Sequence, residues 1–84
     1  MSLTPAQCRA ARALLDWSQN DLEAKASVAK KTIADLERGT RQPYPRTLDA
    51  LRAALEAGGV IFIPENGGGP GVRLKAPIER RGVQ

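Results

Sequence analysis

The sequence predicts a mainly α fold, a compact four-helix domain with a C-terminal β-hairpin. Three observations lead there. Up to residue 58, four stretches place apolar residues at helical spacing, each with its own start or stop signals. From residue 59 the texture changes to two short runs rich in β-branched and aromatic residues around a glycine-rich segment. The length of 84 residues fits one small domain, whose modest core is marginal alone and leaves room for burial against a second protomer.

The first helix opens in "LTPAQCRAARALLDW". Thr4 can cap, Pro5 suits the first helical position, and Gln7 sits three residues after Thr4 as in a capping box. Cys8, Ala11 and Leu15 follow at helical spacing and are expected to face inward, Cys8 as a small buried hydrophobe. Trp17 and Ser18 separate this helix from a short second one, "SQNDLEAKA". Ser18 is its N-cap, Asp21 lies where the helix dipole favours an acid, and Leu22 and Ala26 are its apolar contacts. A helix this short has to be held by packing.

"AKKTIADLERG" is the third helix. At 100° per residue Ala29, Ile33 and Leu36 cluster on one side, while Lys30, Lys31, Ala34, Asp35 and Arg38 spread over roughly 140° on the other. Gly39 suits a C-terminal cap, and the prolines of "TRQPYP" bar helix continuation. The fourth helix, "PRTLDALRAALEAGG", starts near Pro45, presents Leu48, Leu51 and Leu55 inward, and is expected to stop at Gly58 and Gly59. Arg52 and Glu56 form an i,i+4 pair. "VIFIP" and "VRLK" then read as two strands joined through "ENGGGPG". A phosphate-binding use of these glycines has little support, since a strand follows and no Gly-Lys-Ser/Thr is present. The organisation is therefore a helical domain over 1–58, a hairpin over 59–76 and a frayed, charged tail over 77–84.

Composition narrows the function. Thirteen basic against nine acidic residues give a net charge of +4, and a pI near 9.8 points mildly to nucleic acid or another anionic surface. With no histidine and one cysteine, neither a metal site, a cofactor site nor an internal disulfide is expected. No apolar run approaches the roughly 18 residues of a membrane span, and "MSLTPAQ" lacks the regions of a signal peptide. A cytoplasmic, nucleoid-associated protein is the expectation. The absence of histidine and of paired carboxylates argues against an enzyme.

Four short helices with a tight turn between the second and third make a helix-turn-helix candidate. Residues 6–57 resemble the lambda-repressor-like family of regulators, also called Xre or Cro/cI-type. The pattern is carried by Arg12, Leu14, Leu15, Trp17, Ser18, Gln19, Leu22, Val28, Ile33, Glu37, Gly39, Pro43, Leu48, Leu51 and Leu55. The resemblance implies that the third helix, about 29–38, lies in the major groove with its N-terminal residues at base edges. Lys30 and Lys31 can then donate to guanine O6 and N7. Ala34 and Asp35 complete the candidate base contacts; Asp35 could accept from cytosine N4 or instead orient Lys31. Gln19 is implied to hold a phosphate at the positive end of the second helix. Ser18, Thr32, Arg38, Thr40 and Arg41 are the further phosphate candidates, setting register rather than sequence. Arg12 and Glu37 are implied to form a partly buried structural ion pair.

Three positions depart from the family pattern. Ser27 stands at the turn where glycine is usual, and Ala29 at the third helix's cap where serine or threonine is usual. Glu23 replaces a small residue and has to leave the contact with the third helix or pair with a lysine. The hairpin offers a partner surface. It can pack on its own helices, or pair with a second protomer in a two-fold homodimer through Val60, Ile61, Phe62 and Ile63, with Val72 and Leu74. A dimer matches an operator of two half-sites roughly 34 Å apart. The expected function is a sequence-specific double-stranded-DNA-binding transcriptional regulator, acting as a repressor by occupying a promoter. No small-molecule ligand is expected, as no sensor domain is evident. The alternative is an antitoxin-like autoregulator whose hairpin or tail, with Arg80 and Arg81, binds a partner protein.

Overall fold

Thr4, Pro5 and Gln7 start the chain as a closed capping box. Thr4 Oγ1 accepts the Gln7 N–H at 3.0 Å, and Gln7 Oε1 accepts the Thr4 N–H at 3.1 Å. They open α1 (Pro5–Leu15), the first of four helices in the computed structural model, which describes residues 3–76. α2 (Gln19–Ala26), α3 (Lys30–Arg38) and α4 (Pro45–Gly58) follow, then β1 (Val60–Ile63) and β2 (Gly71–Leu74). The fold is thus mainly helical with one antiparallel hairpin, as the periodicity predicts.

The helix junctions are tight because local chemistry closes them. Asp16 ends α1 in the left-handed region, φ 60°, which a short acidic side chain tolerates. Ser18 then opens α2 with a second capping box. Its Oγ accepts the Asp21 N–H at 2.9 Å, and Asp21 accepts the Ser18 N–H at 2.8 Å. That backbone bond, and the one to the Ser18 hydroxyl after it, hold the Asp21 carboxyl below the usual carboxylate range. Ser27 ends α2, again left-handed at φ 57°, although it is not glycine.

The core gathers Cys8 and Ala11 of α1, Leu22 of α2, Ile33 and Leu36 of α3, and Leu48, Leu51 and Leu55 of α4, closed by Leu3 and Val28. Leu15, Trp17 and Ala26 pack on it from the rim. Ala29 does not join Ile33 and Leu36; it is exposed, because it caps α3 outside helical geometry and a helical wheel does not extend to it. The two glycines after Ala57 divide the task given to them jointly. Gly58 is still helical, and a Cβ there would stand 2.6 Å from the Trp17 ring, so it makes room. Gly59, at φ 120°, ends the helix.

In the hairpin Val60 faces Leu74, Ile61 faces Arg73, Phe62 faces Val72 and Ile63 faces Gly71. Side chains alternate, so Val60 and Phe62 are buried, Ile61 is half-buried and Ile63 is exposed. Val72 and Leu74 pack partly against the same core. Gln7 fastens the hairpin to α1, its Nε2 donating to the Gly71 carbonyl at 2.9 Å. The Arg52 guanidinium covers the Phe62 ring at 4.7 Å, while its Nε donates to Glu56 at 3.2 Å. The hairpin therefore packs on its own helices. Val60 and Phe62, expected at a partner contact, have their side chains buried inside the protomer. Of the other expected contact residues, Ile63 is exposed, and Ile61 is half-buried and stands outside the core cluster that Val72 and Leu74 join. The expected tail, with Arg80 and Arg81, lies outside the described residues.

Candidate nucleic-acid interface

Glu37, in the last turn of α3, is the point where three helices meet. Only 4% of its surface is exposed. Arg12 of α1 grips its carboxylate in a fork, Nε at 2.8 Å and Nη2 at 2.7 Å. Gln19 of α2 donates from Nε2 at 3.0 Å, and the Cys8 thiol donates at 3.0 Å from beneath. Arg9 donates to the Glu37 backbone carbonyl, and Arg12 Nη1 reaches the Trp17 carbonyl at 3.0 Å.

The electrostatics follow from this crowding. Burial pushes the Glu37 carboxyl up, but the hydrogen bonds from Arg12, Cys8 and Gln19 outweigh burial and hold it below the usual range. The bond to Glu37 raises the Arg12 guanidinium further. Cys8 is displaced the other way from reactivity: burial first, then its bond to the carboxylate, push the thiol well up and keep it protonated.

The opposite end of α3 is open. Ala29 supplies no side-chain cap, yet the first N–H of the helix is not left free: Lys30 N–H donates to Glu23 Oε2 at 3.1 Å. Glu23 neither leaves α3 nor pairs with a lysine side chain, as its substitution had suggested; it caps α3 from the neighbouring helix. Lys30 and Lys31 are exposed beyond that cap.

Asp35 is placed differently from the sequence expectation. It is only 9% exposed, although the helical wheel puts it on the charged side. The Thr40 N–H and hydroxyl both donate to the Asp35 carbonyl, at 3.0 and 3.2 Å. The Asp35 carboxylate accepts from Lys31 at 3.3 Å and from Arg38 at 2.5 Å. Its carboxylate is not a free acceptor; of its two readings, a bond to Lys31 is the one present. Lys31, Thr32, Asp35 and Arg41 line one cleft of about 330 Å³ with Gln42, Pro43, Tyr44 and Thr47.

The remaining site residues fall on this side or beside it. Ala34 and Thr32 are half-buried, and Arg38, Thr40 and Arg41 are exposed. The Ser18 oxygen is already engaged in capping, and one amide hydrogen of Gln19 is engaged by Glu37. Sequence reasoning missed Tyr44, 80% exposed at the cleft, and Arg9. An aromatic between two prolines was the available signal for Tyr44; nothing local marked Arg9 or the cap at Glu23. Among the described residues no helix is long and apolar enough to cross a membrane.

This geometry presents a short helix, pinned by its C-terminal end, with cations and donors at its N-terminal end and along the following loop. Such an arrangement suits a polyanion with a groove. No curated protein matches the chain in sequence. The helix-turn-helix family model HTH_3 matches residues 9–58, which is more than half of the chain and contains α2, the turn at Ser27 and α3. The chain therefore belongs to the lambda-repressor-like, Xre-type helix-turn-helix family of DNA-binding regulators.

Proposed function

We propose that this protein is a sequence-specific transcriptional repressor that binds double-stranded DNA as a homodimer. α3 enters the major groove, with Lys30 and Lys31 at base edges. Gln19, Thr32, Arg38, Thr40 and Arg41 lie along the phosphates. The observation that carries this reading is the asymmetry of α3. Its C-terminal end is locked through Glu37 to Arg12 and Gln19, while both lysines at its start are exposed. The outward apolar pair Ile61 and Ile63 supports a two-fold contact through the hairpin. Repression then needs only occupancy of a promoter.

Selection of bound duplexes from a random-sequence pool tests the reading, and two half-sites about one helical turn apart are the expected product. On the enriched duplex, Lys30→Ala or Lys31→Ala should weaken binding by about 1–3 kcal/mol where the lysine reads a base. A lysine that meets only phosphate should instead weaken all sequences evenly and reduce the salt slope by about one. Wild-type binding by both variants would remove α3 as the reader. Sedimentation of the chain, free and on the duplex, tests the dimer, and a species that stays monomeric on DNA rules it out.

A further inference from the structure

We infer that Asp35, anchored by Arg38, sets specificity by restraint: it holds Lys31 back from phosphates and releases it only where DNA returns a hydrogen-bond donor. This deepens the DNA-binding reading and rests on it. The carboxylate is almost buried, and among the described residues its side-chain partners are these two cations. Both cations are themselves largely in solvent, with side chains 83% and 61% exposed. Lys31, the more exposed and the more loosely held of the two, can swing out, but Asp35 cannot follow.

The consequence depends on what the cations meet. A phosphate carries acceptors and no donors. If Lys31 leaves Asp35 for a phosphate, a nearly buried carboxylate keeps Arg38 but loses a charged partner that neither the phosphate nor a water in the cleft replaces in kind, which is costly. A base edge is different. The amino groups of cytosine N4 and adenine N6 are donors in the major groove, so a matching site can satisfy the carboxylate that Lys31 leaves. Non-specific contacts are thereby penalised and matched ones are not. Discrimination arises by penalising the wrong partner as much as by favouring the right one. The cleft beside Asp35, which Lys31 and Arg41 also line, is open to solvent-sized groups on this same side.

The test uses the full chain, the duplex enriched by the wild type and a random-sequence duplex pool. Asp35→Asn should bind the random pool more tightly, with a salt slope steeper by about one. The ratio of enriched to random affinity should fall roughly tenfold. Glu65→Gln makes the same change of charge in the exposed hairpin loop and should leave that ratio where it was. In a Lys31→Gln background, Asp35→Asn should have a much smaller effect on the ratio, since the restrained lysine is gone. Should Asp35→Asn not fold, Arg38→Met alters an exposed side chain and leaves the carboxylate dependent on Lys31. Random-pool affinity should then fall while the ratio holds or rises. An unchanged ratio in Asp35→Asn, equal losses on both duplexes, or a falling ratio in Arg38→Met overturns the inference alone. A wild-type chain that enriches no sequence removes the DNA reading and this inference together.

Discussion

At its C-terminal end α3 is tied by a buried carboxylate to Arg12, Gln19 and Cys8, and by a backbone carbonyl to Arg9. At its N-terminal end one exposed bond, from the Lys30 N–H to Glu23, takes the place of a cap. The first arrangement is largely buried and many-partnered, and the second is single and wet. On the proposed reading α3 inserts its N-terminal end into a groove, and a helix cannot be clasped at the end it inserts. Its position has to be fixed from behind, and the structure puts nearly all of the fastening there. The same division separates the two acids of α3. Glu37 joins helices, whereas Asp35 joins side chains within its own helix.

Breaking the fastened end should have the largest effect. Glu37→Ala leaves the Arg12 guanidinium half-buried without its fork partner and frees donors on Gln19 and Cys8. Loss of one member of such a pair is expected to cost about 3–5 kcal/mol, read as a lower urea midpoint. A loss below about 1 kcal/mol, the value of an exposed pair, would mean that the hub is solvated in solution.

Acid should act on the same end, more gradually. The folded Glu37 carboxyl titrates below its ordinary value of 4.5. Its contribution to stability is therefore complete above that value and is lost as pH falls through the lower, folded one. Asp21, whose ordinary value is 3.8, acts with the same sign further down. Urea unfolding across the acid range should show stability falling below about pH 4.5. The fall should be shallower in Glu37→Gln, and equal slopes in the two proteins would assign the acid limb to other groups.

How much of this could be read in advance differs along the chain. The four helices and the hairpin were legible because their signals are local: Thr4 with Gln7, Ser18 with Asp21, Gly39, and the leucines of α4. Arg12 and Glu37 entered through the family pattern alone, since nothing in periodicity joins residues on two helices. Asp35 was misplaced for a definite reason. The wheel gives its angle on α3 but not the cations Lys31 and Arg38 that engage its carboxylate, nor the loop residues Arg41 to Tyr44 beside it. Val60 and Phe62 were offered to a partner because an apolar strand looks the same whether its own helices or another protomer cover it. Glu23 was noticed as a departure, and its role was missed because a cap from the preceding helix has no fixed spacing.

The open end of α3 gives the smallest effect and the most specific test. Ser27, Ala29 and Glu23 look like three separate departures from the family pattern, yet in the structure two of them complement each other. Ala29 offers no oxygen, and Glu23 brings one to the Lys30 N–H. Glu23→Ala should therefore destabilise by about 1 kcal/mol, the usual worth of a cap. Ala29→Ser places an oxygen on the capping residue itself. It should recover most of that loss in the Glu23→Ala background and gain less in the wild type, where the helix start already has an acceptor. Non-additivity in this cycle, measured by urea unfolding, is the signature of two residues serving one N–H. If the two changes simply add, Glu23 does not cap α3, and the helix starts uncapped. If they compensate, affinity for the enriched duplex should recover in step with stability, because the cap sits directly before Lys30 and Lys31.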